Sequence, residues 1–191
     1  MAKTKQEVEA EILKFLAEHS SKPRTPSQPI GSNYGTPCTL GTCRDNKPRL
    51  TPIDFYNEGL TLWMVGDPGE KITDIRANPN VAIALYGPID RAKGHTSMRL
   101  WGKASLVTYR EQKALFLEVL NRYGLFDAFK KVVQSGFIDK IPFIESRPGD
   151  DFETKFNRIL NMESMIKVEP EKIVLLVSVP GGIGERLEWN K

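Results

Sequence analysis

The stretch that most constrains this chain is Leu60 to Leu85, LTLWMVGDPGEKITDIRANPNVAIAL. Leu60, Leu62 and Met64 alternate with their neighbours, the run breaks at Gly66, and a second apolar run closes it from Val81 to Leu85. That is the pattern of two strands around a short insert. The insert reads as a short helix: Asp67 is placed to cap it, Pro68 suits its first position, Glu70 follows three after the cap, and Asn78-Pro79 stops it. A strand turning through glycine into a helix start aims free backbone N–H groups at one point, where an anion is favoured. Lys71, in the first turn, adds a full charge there. A capped surface helix with a solvated lysine fits the same residues, so this stretch alone leaves the anion open.

The segments on either side extend the β pattern. Cys38 to Cys43 is a short strand, Asp45-Asn46 a turn, and Arg49 to Tyr56 a second strand, which turns through Asn57-Glu58-Gly59 into the opening stretch. Three strands joined by tight turns predict an antiparallel meander. Pro52 cannot donate to a ladder, so its strand has an edge, a bulge or a gap there. After Tyr86, the loop Gly87 to Gly94 leads to a strand over Thr96 to Thr108, with Met98, Leu100 and Gly102 on one face and Arg99, Trp101 and Lys103 on the other. His95 is expected to sit exposed in that loop. Lys172 to Val179, KIVLLVSV, is expected to be central because it is almost continuously apolar, and Arg186 to Trp189 is a last short strand. Pro180-Gly181-Gly182-Ile183-Gly184 resembles a phosphate loop only superficially and reads as a turn before that strand.

Helices flank these strands. Thr4-Lys5-Gln6-Glu7 is a capping box ahead of Val8, Ile12, Phe15, Leu16 and His19 at helical spacing, with His19 structural at the helix end. Pro23, Pro26, Pro29 and Gly31 mark an extended arm from Ser20 to Gly35. A second capping box, Thr108 with Glu111, opens a helix to Tyr123; Phe126 to Val133 suggests another up to Gly136, and Phe152, Phe156, Ile159 and Leu160 a third. The segment from Tyr109 to Glu169 therefore reads as a helical insertion that needs a neighbour to bury its apolar stripes.

Composition narrows the function classes. The charged fraction is 27% and the net charge only +3, with lysine and arginine spread along the chain, which argues against a nucleic-acid partner. No apolar run reaches the ~20 residues of a membrane span, and the charged N-terminus is unlike a signal peptide, so no membrane partner and a cytoplasmic location are expected. Cys38 and Cys43 stand at an odd offset that points them to opposite strand faces; they read as free thiols, with no disulfide and no metal site.

Taken together, the strands and helices predict an α+β fold: a six-stranded antiparallel split β-barrel with an N-terminal helix and a helical insertion before the last strands. A single domain over 1–191 is expected, with helix and arm in 1–35, barrel core in 36–108, helical insertion in 109–169 and final strands in 170–191. Arg49, Met64-Val65, Lys71, Asn78-Pro79 and Gly102-Lys103-Ala104 stand in an order and spacing that resembles the pyridoxamine 5'-phosphate oxidase-like, FMN-binding split-barrel family. The resemblance covers roughly Thr36 to Thr108 and, more loosely, the strand at Lys172 to Val179. It implies a homodimer with FMN at the subunit interface. By that similarity Arg49 and Lys71 hold the phosphate, the backbone of Leu50, Thr51, Pro52 and Ile53 borders the isoalloxazine ring, and Met64 and Val65 lie along the ribityl chain. FMN needs charge-assisted donors at one end and exposed backbone at the other, and these residues offer both. Trp101 or Trp189 is a candidate to pack on the ring, and Arg99 to face its negative end.

The departures from the family pattern also carry information. Gly69 and Glu70 stand where the oxidase proper has a serine and an arginine, Asp54 stands where it has a substrate-phosphate lysine, and its arginine-rich C-terminal motif has no match. Pyridoxamine phosphate is therefore not the expected substrate. The implied function is a flavin-dependent oxidoreductase on an unidentified small substrate. The alternatives are a non-catalytic flavin-binding or electron-transfer module, or a relative binding deazaflavin or haem on the same barrel. No catalytic residue is singled out; Tyr34, Asp54 and Tyr56 are acid–base candidates that spacing alone does not separate.

Overall fold

The computed structural model describes residues 3–28, 34–87, 94–141, 149–180 and 184–191. Its first element, α1 (Lys5–His19), begins on the predicted capping box: the Glu7 N–H donates to Thr4 Oγ1, and the Thr4 N–H donates to Glu7 Oε2 at 2.7 Å. Val8, Ile12, Phe15 and Leu16 are buried, and the His19 Nδ1–H closes the last turn on the Phe15 carbonyl at 2.8 Å.

β1 (Cys38–Arg44) and β2 (Lys47–Ile53) form a hairpin in register from Cys38↔Ile53 to Arg44↔Lys47. Its two-residue turn holds Asp45 and Asn46 at φ 51° and 59°, the left-handed pair that matches strand twist and that Asp and Asn tolerate. Both cysteines are free, Cys38 buried and Cys43 half-buried. β3 (Tyr56–Glu58) and β4 (Thr61–Gly66) form a second hairpin around Gly59, at φ 58°. The predicted strand from Arg49 to Tyr56 is thus two strands: Asp54 breaks the pairing and Phe55 turns into the core, where it is 1% exposed.

The insert after β4 is α2 (Glu70–Ala77), starting two residues later than predicted. Gly69 is its N-cap, at a φ of 153°, and no side chain caps it. Asp67 does not cap because its carboxyl faces Glu163 instead. Asn78 ends the helix as expected. Then follow β5 (Asn80–Tyr86), β6 (His95–Thr108), α3 (Lys113–Arg122), α4 (Leu125–Gln134), α5 (Phe152–Met162), β7 (Ser164–Ser178) and β8 (Glu185–Asn190).

Three further boundaries differ from the sequence reading. His95 is the first residue of β6 and half-buried rather than exposed in a loop. Thr108 and Glu111 make their reciprocal bonds, but around a turn, and α3 starts only at Lys113. β7 begins at Ser164, well before Lys172: Ile166, Val168 and Pro170 are buried on one face while Lys167 and Glu169 alternate on the other. The glycine-rich stretch at Pro180–Gly184 and the arm residues Pro29 and Gly31 fall on or beside positions outside the described residues.

Among the described residues the sheet has eight strands rather than six, all antiparallel, in the order β2-β1-β5-β6-β7-β4-β3, with β8 also on β7. β7 pairs β6 along its length; on its other edge Ser164 to Val168 pairs β4, and Lys172 to Val177 pairs β8. The expected meander does not form, because β2 and β3 are the two ends of the path. Yet only Asp54 and Phe55 separate them in the chain. Two sheet edges tethered so closely force the sheet to curl round on itself while leaving the seam unpaired, which makes the barrel split.

Two apolar clusters result. Inside the barrel lie Leu40, Leu62, Met64, Leu85, Met98, Leu100, Ile166 and Ile173, closed at one end by Ile12 and Leu16 of α1. Outside it, Trp63, Val107 and Met165 pack against Phe116, Leu120, Phe156 and Leu160 of α3 and α5. β4 is therefore buried on both faces, with Leu62 and Met64 inward and Trp63 under the helices.

Candidate functional site

The anion end is built from β2 and α2. Arg49 lies opposite Thr42 in the hairpin, and both reach Asp74 of α2. Asp74 is 2% exposed, accepts from Thr42 Oγ1 at 2.9 Å and from Arg49 Nε at 3.2 Å, and has Arg44 Nε 3.4 Å from its other oxygen. A buried carboxylate so fully partnered is a fixed anchor, and it sets the direction of the Arg49 guanidinium. The far end of that guanidinium meets Glu70, an exposed side chain in the first turn of α2. Lys71, the next residue, donates from Nζ to the Asp67 carbonyl at 2.8 Å. The two basic residues picked out in the sequence thus converge on one helix start that no side chain caps. This donor set fits a phosphate, with Glu70 on the Arg49 nitrogens that an anion needs.

The other predicted residues divide by face. Leu50 and Pro52 point outward from the barrel; Thr51 and Ile53 point the other way. Cross-strand register places Leu50, Gly41, Ala82 and Trp101 in one row, and Pro52, Thr39, Ala84 and Arg99 in the next. Leu50 is 73% and Trp101 40% exposed, with small residues between them, so this outer wall is flat and apolar. Met64 is fully buried inside the barrel, which leaves only its backbone for a ligand, whereas Val65 faces a cavity. Trp189 is also remote: it is 8% exposed, belongs to the core and donates from Nε1 to Glu9 of α1.

That cavity, about 400 Å³, lies between the seam of the barrel and the helices. Pro52, Ile53, Asp54, Tyr56, Val65 and Asp67 line one side, Leu125, Phe129, Val132 and Ile159 the other, with Arg24 and Tyr34 from the arm. Tyr34, Asp54 and Tyr56, which spacing did not connect, are brought together here. Burial raises the Asp54 carboxyl above the usual carboxylate range. Glu163, between α5 and β7, was not visible as a site residue: it is 7% exposed, and burial, reinforced by Asp67 and opposed by Lys71, pushes it up to about 8. Nothing in a run of charged and apolar residues marks one glutamate as buried; only the fold does.

An unclosed antiparallel barrel with a charged strand–helix corner beside its seam defines the class of split β-barrels. The family model described as pyridoxamine 5'-phosphate oxidase matches residues 33–135, more than half the chain, and the chain belongs to that family. An uncharacterized protein of Rhizobium meliloti is 34% identical over 74 residues, which are 39% of this chain and 44% of that protein's length. Among solved structures, a pyridoxamine 5'-phosphate oxidase-related, FMN-binding protein from Nostoc punctiforme shares the fold, with TM-score 0.57 and 14% identity over 82% of this chain and 81% of that one. The haem storage protein HutZ from Vibrio cholerae shares it too, with TM-score 0.50 and 15% identity over 90% and 94% of the two chains. At such identities the likeness concerns the fold. Among the described residues, no helix is long and apolar enough to cross a membrane.

Proposed function

We propose that this protein binds FMN at the corner of β2 and α2, as a cytoplasmic homodimer, and acts as a flavin-dependent oxidoreductase on a small substrate. The observation that carries the reading is the convergence of Arg49 and Lys71 on the uncapped first turn of α2. Asp74 holds Arg49 through Nε and leaves its outer nitrogens for phosphate oxygens, which take the place of Glu70. From Arg49 the strand runs to Pro52, about 10 Å on at the rise of an extended chain, a span on the scale of a ribityl tail. Pro52 offers no N–H, and among the described residues β2 pairs β1 alone, so the edge beside it keeps backbone groups available to a flat polar ring. FMN supplies the electron transfer when bound; the chain supplies orientation and charge.

Titration of the purified protein with FMN, followed by flavin fluorescence, tests the reading. Arg49→Ala and Lys71→Ala are each expected to weaken FMN by about 1–3 kcal/mol, the scale of a charged hydrogen bond. Unchanged affinity in both removes the site, and a Soret band in the purified protein replaces flavin with haem. Reduction of bound FMN by NAD(P)H, or its reoxidation by a quinone, separates an enzyme from a flavin-binding module.

A further inference from the structure

The cavity at the seam holds a feature that phosphate binding at α2 does not use. Glu163 is more than nine-tenths buried, lines the cavity, and its Oε2 has no hydrogen-bond partner among the described residues. A buried polar atom left unpaired has lost its water without compensation, so the fold holds an acceptor ready for something else. Burial and the neighbouring Asp67 favour the protonated Glu163 carboxyl, and Asp67 is the group facing it that can share its proton. With the proton held toward Asp67, Oε2 is a carbonyl-type oxygen: it accepts and does not donate.

The surroundings define the rest of the ligand. Asp54 and Asp67 on the barrel side are opposed by Arg24 in the lining and by Lys71 behind Asp67, so the cavity asks for no net charge. The facing wall is Phe129 and Val132 of α4 with Ile159 of α5, which suits a ring. About 400 Å³ is within the usual range for small-molecule sites.

We propose that the cavity between the barrel seam and the α4–α5 pair binds a small neutral ring compound carrying an N–H or O–H donor, with Glu163 Oε2 as its acceptor. The cavity shares Pro52, Ile53 and Val65 with the path proposed for FMN, whereas Glu163 and the α4–α5 wall lie outside that path, so phenol binding measured without FMN tests the cavity by itself.

Calorimetric titration of the full chain with phenol, before and after addition of FMN, tests this. Phenol is expected to saturate at millimolar or lower concentration. Anisole, the same ring with the donor methylated, is expected to bind at least about tenfold more weakly, the equivalent of one hydrogen bond. Glu163→Leu removes that preference, Glu163→Gln keeps an acceptor and retains it, and Val132→Trp, with the fold checked by circular dichroism, abolishes binding of both. Absence of saturation by phenol, equal affinity for phenol and anisole in the wild type, or phenol binding that survives Val132→Trp overturns the proposal.

Discussion

Single side chains at the site carry opposite consequences for charge. Glu70 is exposed and occupies Arg49, so Glu70→Gln is expected to strengthen FMN binding by about 0.5–1 kcal/mol, the scale of an exposed ion pair, with the gain shrinking in high salt. A fluorescence titration at two ionic strengths checks it. Asp74 is the reverse case: it touches no ligand, yet it directs Arg49, and its three donors lose their acceptor if it is removed. Glu163 makes a prediction about pH. Burial pushes its folded carboxyl up to about 8 from an ordinary value of 4.5, so the folded state holds more protons than the unfolded state between those values. Stability is then fully present below about pH 4.5 and falls as pH rises through about 8. Glu163→Gln cannot ionise, and urea unfolding across this window is expected to show a decline in wild type, on the order of 1–3 kcal/mol, that the variant lacks. Parallel pH profiles for the two proteins would remove the buried neutral acid.

At the level of elements, what could be read from the sequence was whatever local chemistry decides. The Thr4–Glu7 box, the Asp45-Asn46 turn, the Asn78 stop and the alternation of Met98, Leu100 and Gly102 on β6 all appear where their residues demand. Elements decided by tertiary contact were misplaced. The first half of β7 alternates apolar and charged residues over Ile166 to Pro170, yet it was assigned to the helical insertion; pairing with β4 and β6 makes it a strand. Asp67 has the makings of a cap and faces Glu163 instead. The candidate site follows the same division: Arg49 and Lys71 were legible from their order along the chain, whereas the cavity, Asp74 and Glu163 belong to the packing of distant segments. Gly124 shows such a contact holding two elements in place. It sits at φ 67° at the start of α4, the Arg24 N–H donates to the neighbouring Tyr123 carbonyl at 3.0 Å, and an added Cβ would lie 2.2 Å from the Arg24 carbonyl oxygen. Gly124→Ala therefore meets both a backbone penalty and a clash, and is expected to cost about 1–3 kcal/mol and to release the arm that carries Arg24 to the cavity. Faster amide exchange at Arg24, alongside a lower urea midpoint, is the measurement.

The whole molecule covers its barrel unevenly. The α3–α5 layer packs over the outer face of β4 and β7 through Trp63 and Met165, and α1 closes one end through Ile12 and Leu16. The outer face of β2-β1-β5-β6 receives none of these side chains, and there Leu50, Tyr86 and Trp101 are 73%, 57% and 40% exposed around Gly41 and Ala82. An exposed apolar wall with a flat centre is what a second copy of the same wall can cover, and four candidate cofactor residues, Leu50, Pro52, Arg99 and Trp101, lie on it. The expected outcome in sedimentation is a dimer. Ala82 is exposed at the centre of this wall, so Ala82→Arg leaves the barrel interior untouched while placing two like charges face to face across a two-fold contact. The variant is expected to sediment as a monomer, to unfold cooperatively, and to lose FMN affinity along with the partner, whereas Lys71→Ala loses affinity and remains a dimer. A wild-type monomer that binds FMN places the whole cofactor site within one chain, and an Ala82→Arg dimer moves the contact to another face.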